Sequence, residues 1–516
     1  MPFGIKDYHK ELFDMHIGCE RPHAYFIPYE TEAKARRAAR RASAYFKSLA
    51  GEWNFKFYKS VAEVPESITE PIDFAEKMAV PSSWQYSIGR GYDVPQYTNV
   101  IYPFPYDPPR VPEENPAAVY MREFTLSEAE LSGKDVMLNF EGVDSCFYLF
   151  VNGEFVGYSE ITHMTSEFNV SRFVKVGKNV ITVLVVKWCA ASYLEDQDKF
   201  RSSGIIREPY LLFRNKNRIV DISIKAEPDK SFKRATVSAT IKTNADVSVK
   251  YSLRDMQGNE IASGVQKCDT DATFTIAEIK NPYLWSDEDP YLYELSIKDG
   301  EEIIFLYIGV RKVEIKNRVV YINGKKVKVK GVNRHDSHPV LGEAVTMEDM
   351  ERDIRIMKAN NMNMVRTSHY PNDPRFYEIC DRYGMYVCDE TDLECHGIPR
   401  YYEDDNPDLT NDPEWQPLYI DRIERMYERD KNHPSIIMWS VGNESSVGVN
   451  HKAMIEFVKA RDTSRIMHAC DETWMAHHID MKEKGSENCT KPSSYYRSYT
   501  EIESRMYPDL DDLESY

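Results

Sequence analysis

Nowhere along the 516 residues do about 20 apolar side chains run together, so no segment reads as a membrane-crossing helix. The opening stretch, Met1 to Asp7, lacks the charged-then-apolar order of a secretory leader, and a cytoplasmic protein with no membrane partner is expected. Cysteine is scarce: nine residues, an odd number, with no C-x-x-C pair. That excludes a disulfide framework and a zinc ribbon and leaves buried thiols as the expectation. A Lys/Arg-dense stripe is also missing. With a formal net charge of −18 and a pI near 5.3 the chain would repel phosphate backbones, so nucleic acid is excluded as a partner. There is no repeat of solenoid period and no low-complexity tract beyond the acidic stretch from Asp509 to Glu514.

What is present suits a large globular protein. Hydrophobic residues at 42% and charged residues at 29% are ordinary for a folded chain and far from a disordered composition. The length exceeds the ~250–300 residues at which one core stops growing, so several domains are expected. Thirty-four tyrosines fit either sandwich cores or surfaces that stack on sugars.

Three patterns follow one another. Residues 1–215 hold an N-terminal segment and then short β runs with turn punctuation. Cys146 to Val151, Asn152-Gly153 and Glu154 to Val156 read as a two-residue hairpin, because Asn-Gly supplies the positive φ angles of a type I′ turn; Val180 to Val186 reads as a buried strand. A jelly-roll sandwich is predicted. Residues 216–317 alternate with period two, as in Ala235 to Ile241 and Val247 to Tyr251, and predict an immunoglobulin-like sandwich. Residues 318–516 change to strand, helix, strand, helix. Val327 to Val332, Asn363 to Val365, Met385 to Asp389, Ile436 to Trp439, Arg465 to His468 and Ile502 to Met506 read as six βα-type strands. The first helix lies behind a Thr346-x-x-Asp349 cap, and the second runs from Asp373-Pro374 to Gly384. The expectation is an incomplete (β/α)8 TIM barrel, with strand edges and apolar helix faces that would drive association.

Catalytic groups of such barrels sit at the carboxyl ends of strands. The polar strings there are Asn333-Arg334-His335-Asp336; Arg366-Thr367-Ser368-His369-Tyr370-Pro371; Asp389-Glu390 with Glu394-Cys395-His396-Gly397; Gly442-Asn443-Glu444-Ser445; and Tyr507. Cleavage of a glycosidic bond needs an acid on the leaving oxygen and a neighbour for a sugar hydroxyl, roles that suit Glu444 and Asn443. One Asn-Glu pair alone is more often a cap or a supporting hydrogen bonder; several polar strand ends together favour catalysis. Glu394 and His396 lie two apart, so in extended backbone both face one side and could share Mg²⁺ or Mn²⁺. On spacing alone a lone Glu-x-His is more often a satisfied polar pair than a metal site, and His335 and His369 are each readable as buried, backbone-bonded histidines.

The full strings resemble the family 2 glycoside hydrolases, and within them the β-galactosidases. The likeness runs through Tyr97-Thr98-Asn99-Val100, Tyr193 to Asp198, Gly204 to Arg207, Gly331 to His335, Ser368 to Pro371, Glu394 to Gly397, Asn432 to Ser435 and Trp439 to Ser445. The resemblance implies a retaining enzyme that removes terminal β-D-galactose, with Glu444 as acid/base. It implies a Mg²⁺ site at Glu394, His396 and Glu444. Asn99 and Asp198 would contact galactose, with Asp198 also a Na⁺ ligand, and His335, His369, Asn443 and Tyr507 would be further active-site positions. The family's nucleophilic glutamate follows the segment that matches Ile502 to Tyr507, and no matching context occurs here. Glu503, Asp509, Asp511, Asp512 and Glu514 read as surface acids, so the isolated chain is expected to be inactive. The complete protein is expected to be a homo-oligomer, with complementation by the missing part as a further expectation. The alternatives are a related β-glycosidase such as a β-glucuronidase, and a non-catalytic galactoside-binding or assembly module.

Overall fold

The computed structural model describes residues 2–37, 39–68, 72–87, 89–98, 100–397, 408–445, 448–470 and 500–502. Two sheets make up the first sandwich. One has seven strands, in spatial order His16–Ile17, Glu154–Glu160, Cys146–Val151, Gly177–Val186, Ala117–Leu126, Gly51–Tyr58 and Glu76–Val80; the other has four, Ser166–Asn169, Lys134–Phe140, Tyr210–Asn215 and Phe46–Ser48. Trp53, Trp84, Tyr120, Leu138, Leu149 and Phe168 fill the space between them. The Asn152-Gly153 turn forms as the sequence predicts, with φ of 53° and 86°.

The second sandwich pairs a three-stranded sheet (Ile219–Pro228, Arg234–Thr243, Asp271–Lys280) with a four-stranded one (Glu260–Cys268, Val247–Arg254, Tyr293–Asp299, Glu302–Ile308). Alternate residues such as Val237, Ile241, Leu253 and Leu295 point into its core.

Beyond it lie five parallel strands in sequential order: β1 (Gly331–Arg334), β2 (Met364–Thr367), β3 (Tyr386–Glu390), β4 (Ile436–Ser440) and β5 (Ile466–His468). Helices α1 (Met347–Ala359), α2 (Pro374–Tyr383), α3 (Gln416–Asp430) and α4 (Val449–Lys459) connect or cover them. Strands β3 and β4 are buried along their whole length, as parallel strands covered by helices must be. The start of β1 differs from the sequence reading. Val327 to Lys330 are not strand, because Val327 N–H still bonds back to the Val320 carbonyl of the preceding hairpin at 3.0 Å. The predicted sixth strand falls, but for Ile502, outside the described residues.

The helix termini follow their local signals. Thr346 and Asp349 close a reciprocal capping box, Asp373 caps α2, and Gly384 ends it at φ 69°. An added Cβ on Gly384 would lie 2.6 Å from the Asp287 carbonyl. Gly384→Ala is therefore expected to destabilise the barrel by about 1–3 kcal/mol from backbone strain, and further from the clash. Urea unfolding would read this; an unchanged midpoint would show that the turn has another conformation available.

Among the described residues eight cysteines are free thiols and seven of them are buried, in keeping with the sequence expectation. No helix is long and apolar enough to cross a membrane among the described residues.

Candidate active site

The carboxyl ends of the five strands meet a segment from the first sandwich. Residues 194–197 run beside the loop after β3: Glu394 N–H donates to the Leu194 carbonyl (2.9 Å), Asp196 N–H donates to the Glu394 carbonyl (3.0 Å), and Gly397 N–H donates to Asp196 Oδ2 (3.0 Å). On the other flank Arg422 of α3 donates to Glu195 and to the Asp392 carbonyl. The strand-end loop is thus fixed by backbone bonds from a different domain.

Glu394, His396 and Glu444 converge: their potential ligand atoms all lie within 4.8 Å of one another. Glu394 is fully buried, and its Oε1 has no hydrogen-bond partner. His396 Nδ1 approaches Glu444 Oε2 to 2.8 Å, at an angle that forms no hydrogen bond, and lies 3.6 Å from Glu394 Oε1, outside hydrogen-bond reach. Burial opposes the imidazolium, but the two carboxylates outweigh it and push His396 up to about 10. Glu444 feels burial first, which raises it; His396, then His369 and Arg366, overcome that and hold it below the ordinary carboxylate range. Glu394 goes the other way, raised by burial.

Beneath this cluster Glu390, fully buried at the end of β3, accepts from Arg366 Nε (2.6 Å) and Nη2 (2.9 Å), from Ser440 Oγ (2.7 Å), and bonds His369 Nδ1 (2.6 Å). Burial alone would raise its pKa, but Arg366 and His369 hold it well below the usual range. Arg366 also donates to Asn443 Oδ1 (3.0 Å), and Asn443 Nδ2 donates to Glu394 Oε2 (2.9 Å) and faces Glu444 Oε2 at 3.5 Å. The Asn443 amide is engaged by protein at both ends. Cys388, Glu390 and His468 form a second group of metal-ligand type. There the Arg366 guanidinium already neutralises the one carboxylate, which argues against a cation.

The sequence-selected residues divide three ways. Glu394, His396, Glu444 and Asn443 form one bonded cluster, with His369 joined to it through Glu390 and Arg366. His335 packs edge-on to His369 (5.6 Å between centroids), with Nδ1 3.3 Å from the Tyr370 hydroxyl; burial, then the His369 and Lys199 charges, bring it down to about 4, so it is neutral near pH 7. Asp198 lies near the Tyr97 hydroxyl and raises its pKa, and its own Oδ1 is buried and unpartnered. Asn99 and Tyr507 lie outside the described residues. Glu390 and Arg366 sat inside the strand-end strings, but nothing in their spacing marked them as the hub. The buried set of His163, Asp392, Lys199 and Glu343 was also missed, since its members come from separate segments.

Family models describe this architecture. "Glycosyl hydrolases family 2, sugar binding domain" matches residues 46–215, "Glycosyl hydrolases family 2" matches 217–311, and "Glycosyl hydrolases family 2, TIM barrel domain" matches 313–516. The chain belongs to the family 2 glycosyl hydrolases. Among curated relatives of this family 2 chain, the β-galactosidase of Actinobacillus pleuropneumoniae is 38% identical over 99% of it and 51% of the relative. That of Lactococcus lactis subsp. lactis is 42% identical over 82% of the chain and 42% of the relative. The chain thus spans about half the length of the curated relatives it matches. In fold it is similar to solved β-glucuronidases. The Bifidobacterium dentium enzyme complexed with coumarin-3-O-glucuronide has a TM-score of 0.70 at 21% identity, covering 82% of this chain and 74% of that one. An uncultured Clostridium sp. β-glucuronidase has a TM-score of 0.68 at 23% identity, covering 82% and 72%.

Proposed function

We propose that this chain forms the acid/base half of the active site of a retaining β-galactosidase. The observation that carries the reading is Glu444, a half-buried carboxylate at the end of β4, held against His396 and Glu394. In such a reaction Glu444 must first carry a proton, so bound substrate has to offset the His396 pairing that favours its ionised form. It then gives that proton to the aglycone oxygen as the glycosidic bond breaks and, as a carboxylate, takes one from the water that releases the sugar. A second carboxylate must attack the anomeric carbon. Among the described residues Glu390 is committed to Arg366, His369 and Ser440, and Glu394 belongs to the acid/base cluster, so we assign the attack to a residue outside them. Activity is accordingly proposed to depend on that residue as well as on Glu444.

Galactose is preferred to glucuronate for two reasons. The curated relatives at 38% and 42% identity are named β-galactosidases. A uronate also needs a free cation, whereas among the described residues the Arg and Lys side chains beside the site are already paired: Arg366 with Glu390, Lys199 with Glu343, Arg201 with Asp196. Asp198, with its unpartnered Oδ1, and neutral His335 are proposed to meet sugar hydroxyls; Asp198 is also the proposed Na⁺ ligand. The deciding experiment compares aryl β-galactoside with aryl β-glucuronide turnover by a chain extended through a complete barrel. Preference for the glucuronide would overturn the assignment.

The donor set fits a divalent cation. Two carboxylates and an imidazole converge with an orphaned Oε1 and a misaligned Nδ1, an arrangement that a cation between them would satisfy. Glu394, His396 and Glu444 would hold Mg²⁺ or Mn²⁺, and such an ion would fix the Glu444 carboxyl and neutralise its neighbour. Saturating Mg²⁺, about 100 times its Kd, is expected to stabilise the protein by roughly 2.7 kcal/mol. Thermal unfolding with Mg²⁺ or a chelator reads this, and Glu394→Gln should abolish the difference. An equal shift in that variant would place the ion elsewhere. The complete protein's homo-oligomeric state and cytoplasmic location are part of the same proposal.

A further inference from the structure

At the opposite, amino-terminal end of the barrel strands lies an open cleft of about 60 Å³ between the second sandwich and the ends of α3 and α4. On a protein of formal charge −18 it is lined by five cationic side chains against two carboxylates, Glu227 and Asp462. Its floor is Arg311, which is 6% exposed. Arg311 Nε donates to the Pro434 carbonyl (2.6 Å) and Nη2 to the Ile436 carbonyl (2.5 Å), and no carboxylate pairs with it among the described residues.

Arg465 Nε donates to that same Ile436 carbonyl at 2.8 Å, so two guanidinium groups converge on one oxygen. Arg465 has Asp462 as its counter-charge (2.6 Å), and Asp462 is further occupied by the Trp439 indole N–H and by Ser464. Lys431 is neutralised by Asp221 and Glu428. Arg311 is left, among the described residues, as a buried cation with no directly paired carboxylate, and two exposed cations, Lys225 and Arg461, stand at the rim.

A buried charge without a counter-charge is strongly disfavoured, and a guanidinium beside a second cation binds oxyanions in particular. Burial and then the Arg465 charge bring the Arg311 pKa down to about 9, with Asp462 and Asp381 acting against them from further off. We propose that this cleft is a binding site for a tetrahedral oxyanion, phosphate or a terminal phosphate ester, held by Arg311 at its floor and by Lys225 and Arg461 at its rim. The site is separate from the Glu444 cluster and independent of the reaction assigned to it.

The test titrates the full chain with inorganic phosphate at constant ionic strength, by calorimetry and thermal unfolding, with glucose 6-phosphate as a parallel arm. Saturable binding and a raised Tm beyond that given by matched chloride are expected, and Lys225→Glu/Arg461→Glu should weaken the affinity at least tenfold. Both rim residues are exposed, so the double variant should fold, whereas Arg311→Met serves only as a second check. The ester binding at least as tightly as free phosphate would assign the site to phosphorylated metabolites; weaker ester binding would assign it to the free ion. A phosphate response equal to that of chloride, or one unchanged in the rim variant, would overturn the proposal.

Discussion

Glu444→Gln, in a chain extended to a complete barrel, is expected to lower kcat for an unactivated galactoside about 10²–10⁴-fold, roughly 2.7–5.4 kcal/mol of transition-state stabilisation. The amide keeps the shape of the carboxyl but cannot give a proton to the departing oxygen. Aryl galactosides with very acidic leaving groups need little protonation, so their first step should be nearly spared. Their second step should remain slow, because the water then lacks its base, and a small anionic nucleophile such as azide should restore it. Steady-state rates across a series of leaving-group pKa values measure this. An equal loss for every leaving group, with no azide rescue, would assign Glu444 a binding role instead.

For Glu390 the expected loss is in stability as well as activity. Its carboxylate is wholly buried beneath Arg366, His369 and Ser440. Glu390→Gln leaves the Arg366 guanidinium without its counter-charge, and breaking a buried pair in this way costs about 3–5 kcal/mol. Because Arg366 also holds Asn443, the cluster around Glu444 should lose its alignment in the same variant. The folded-state pKa of Glu390 lies below its unfolded value, so its contribution is fully present above the ordinary glutamate range and is lost only as pH falls through the folded pKa. Urea unfolding at pH 7 reads the loss. A double variant, Glu390→Leu with Arg366→Met, should recover part of it, since neither charge is then stranded. Strictly additive losses would show that the two do not act as a pair. The exposed pair of Lys178 and Glu123 is the control, and its removal should change nothing measurable.

Local chemistry made much of the fold readable. Asn152-Gly153 could only be a tight hairpin, because two consecutive positive φ angles suit few other dipeptides. Asp373-Pro374 and Gly384 bracket α2 because a proline needs no N–H partner in the first turn and glycine tolerates the left-handed exit. The start of β1 was misplaced because Val327 to Lys330 are compatible with either the preceding hairpin or the barrel. A tertiary hydrogen bond to Val320 made the choice.

The candidate site divides along the same line. Glu394, His396, Asn443 and Glu444 were visible in the sequence, since strand-end loops bring polar residues together and a two-residue spacing aligns Glu394 with His396. The roles of Glu390 and Arg366 were not, because a carboxylate's partners are chosen by which strands lie side by side. By itself the sequence determined the order of sandwich, sandwich and barrel, the helix and hairpin ends, and which polar side chains gather at the strand ends. Each of these rests on interactions between near neighbours in the chain. Only the tertiary structure decided that segment 194–197 clamps the loop bearing Glu394, that Glu390 anchors the cluster, and that Arg311 has no directly paired carboxylate among the described residues at the far end. Those outcomes depend on electrostatics and burial summed over residues hundreds of positions apart.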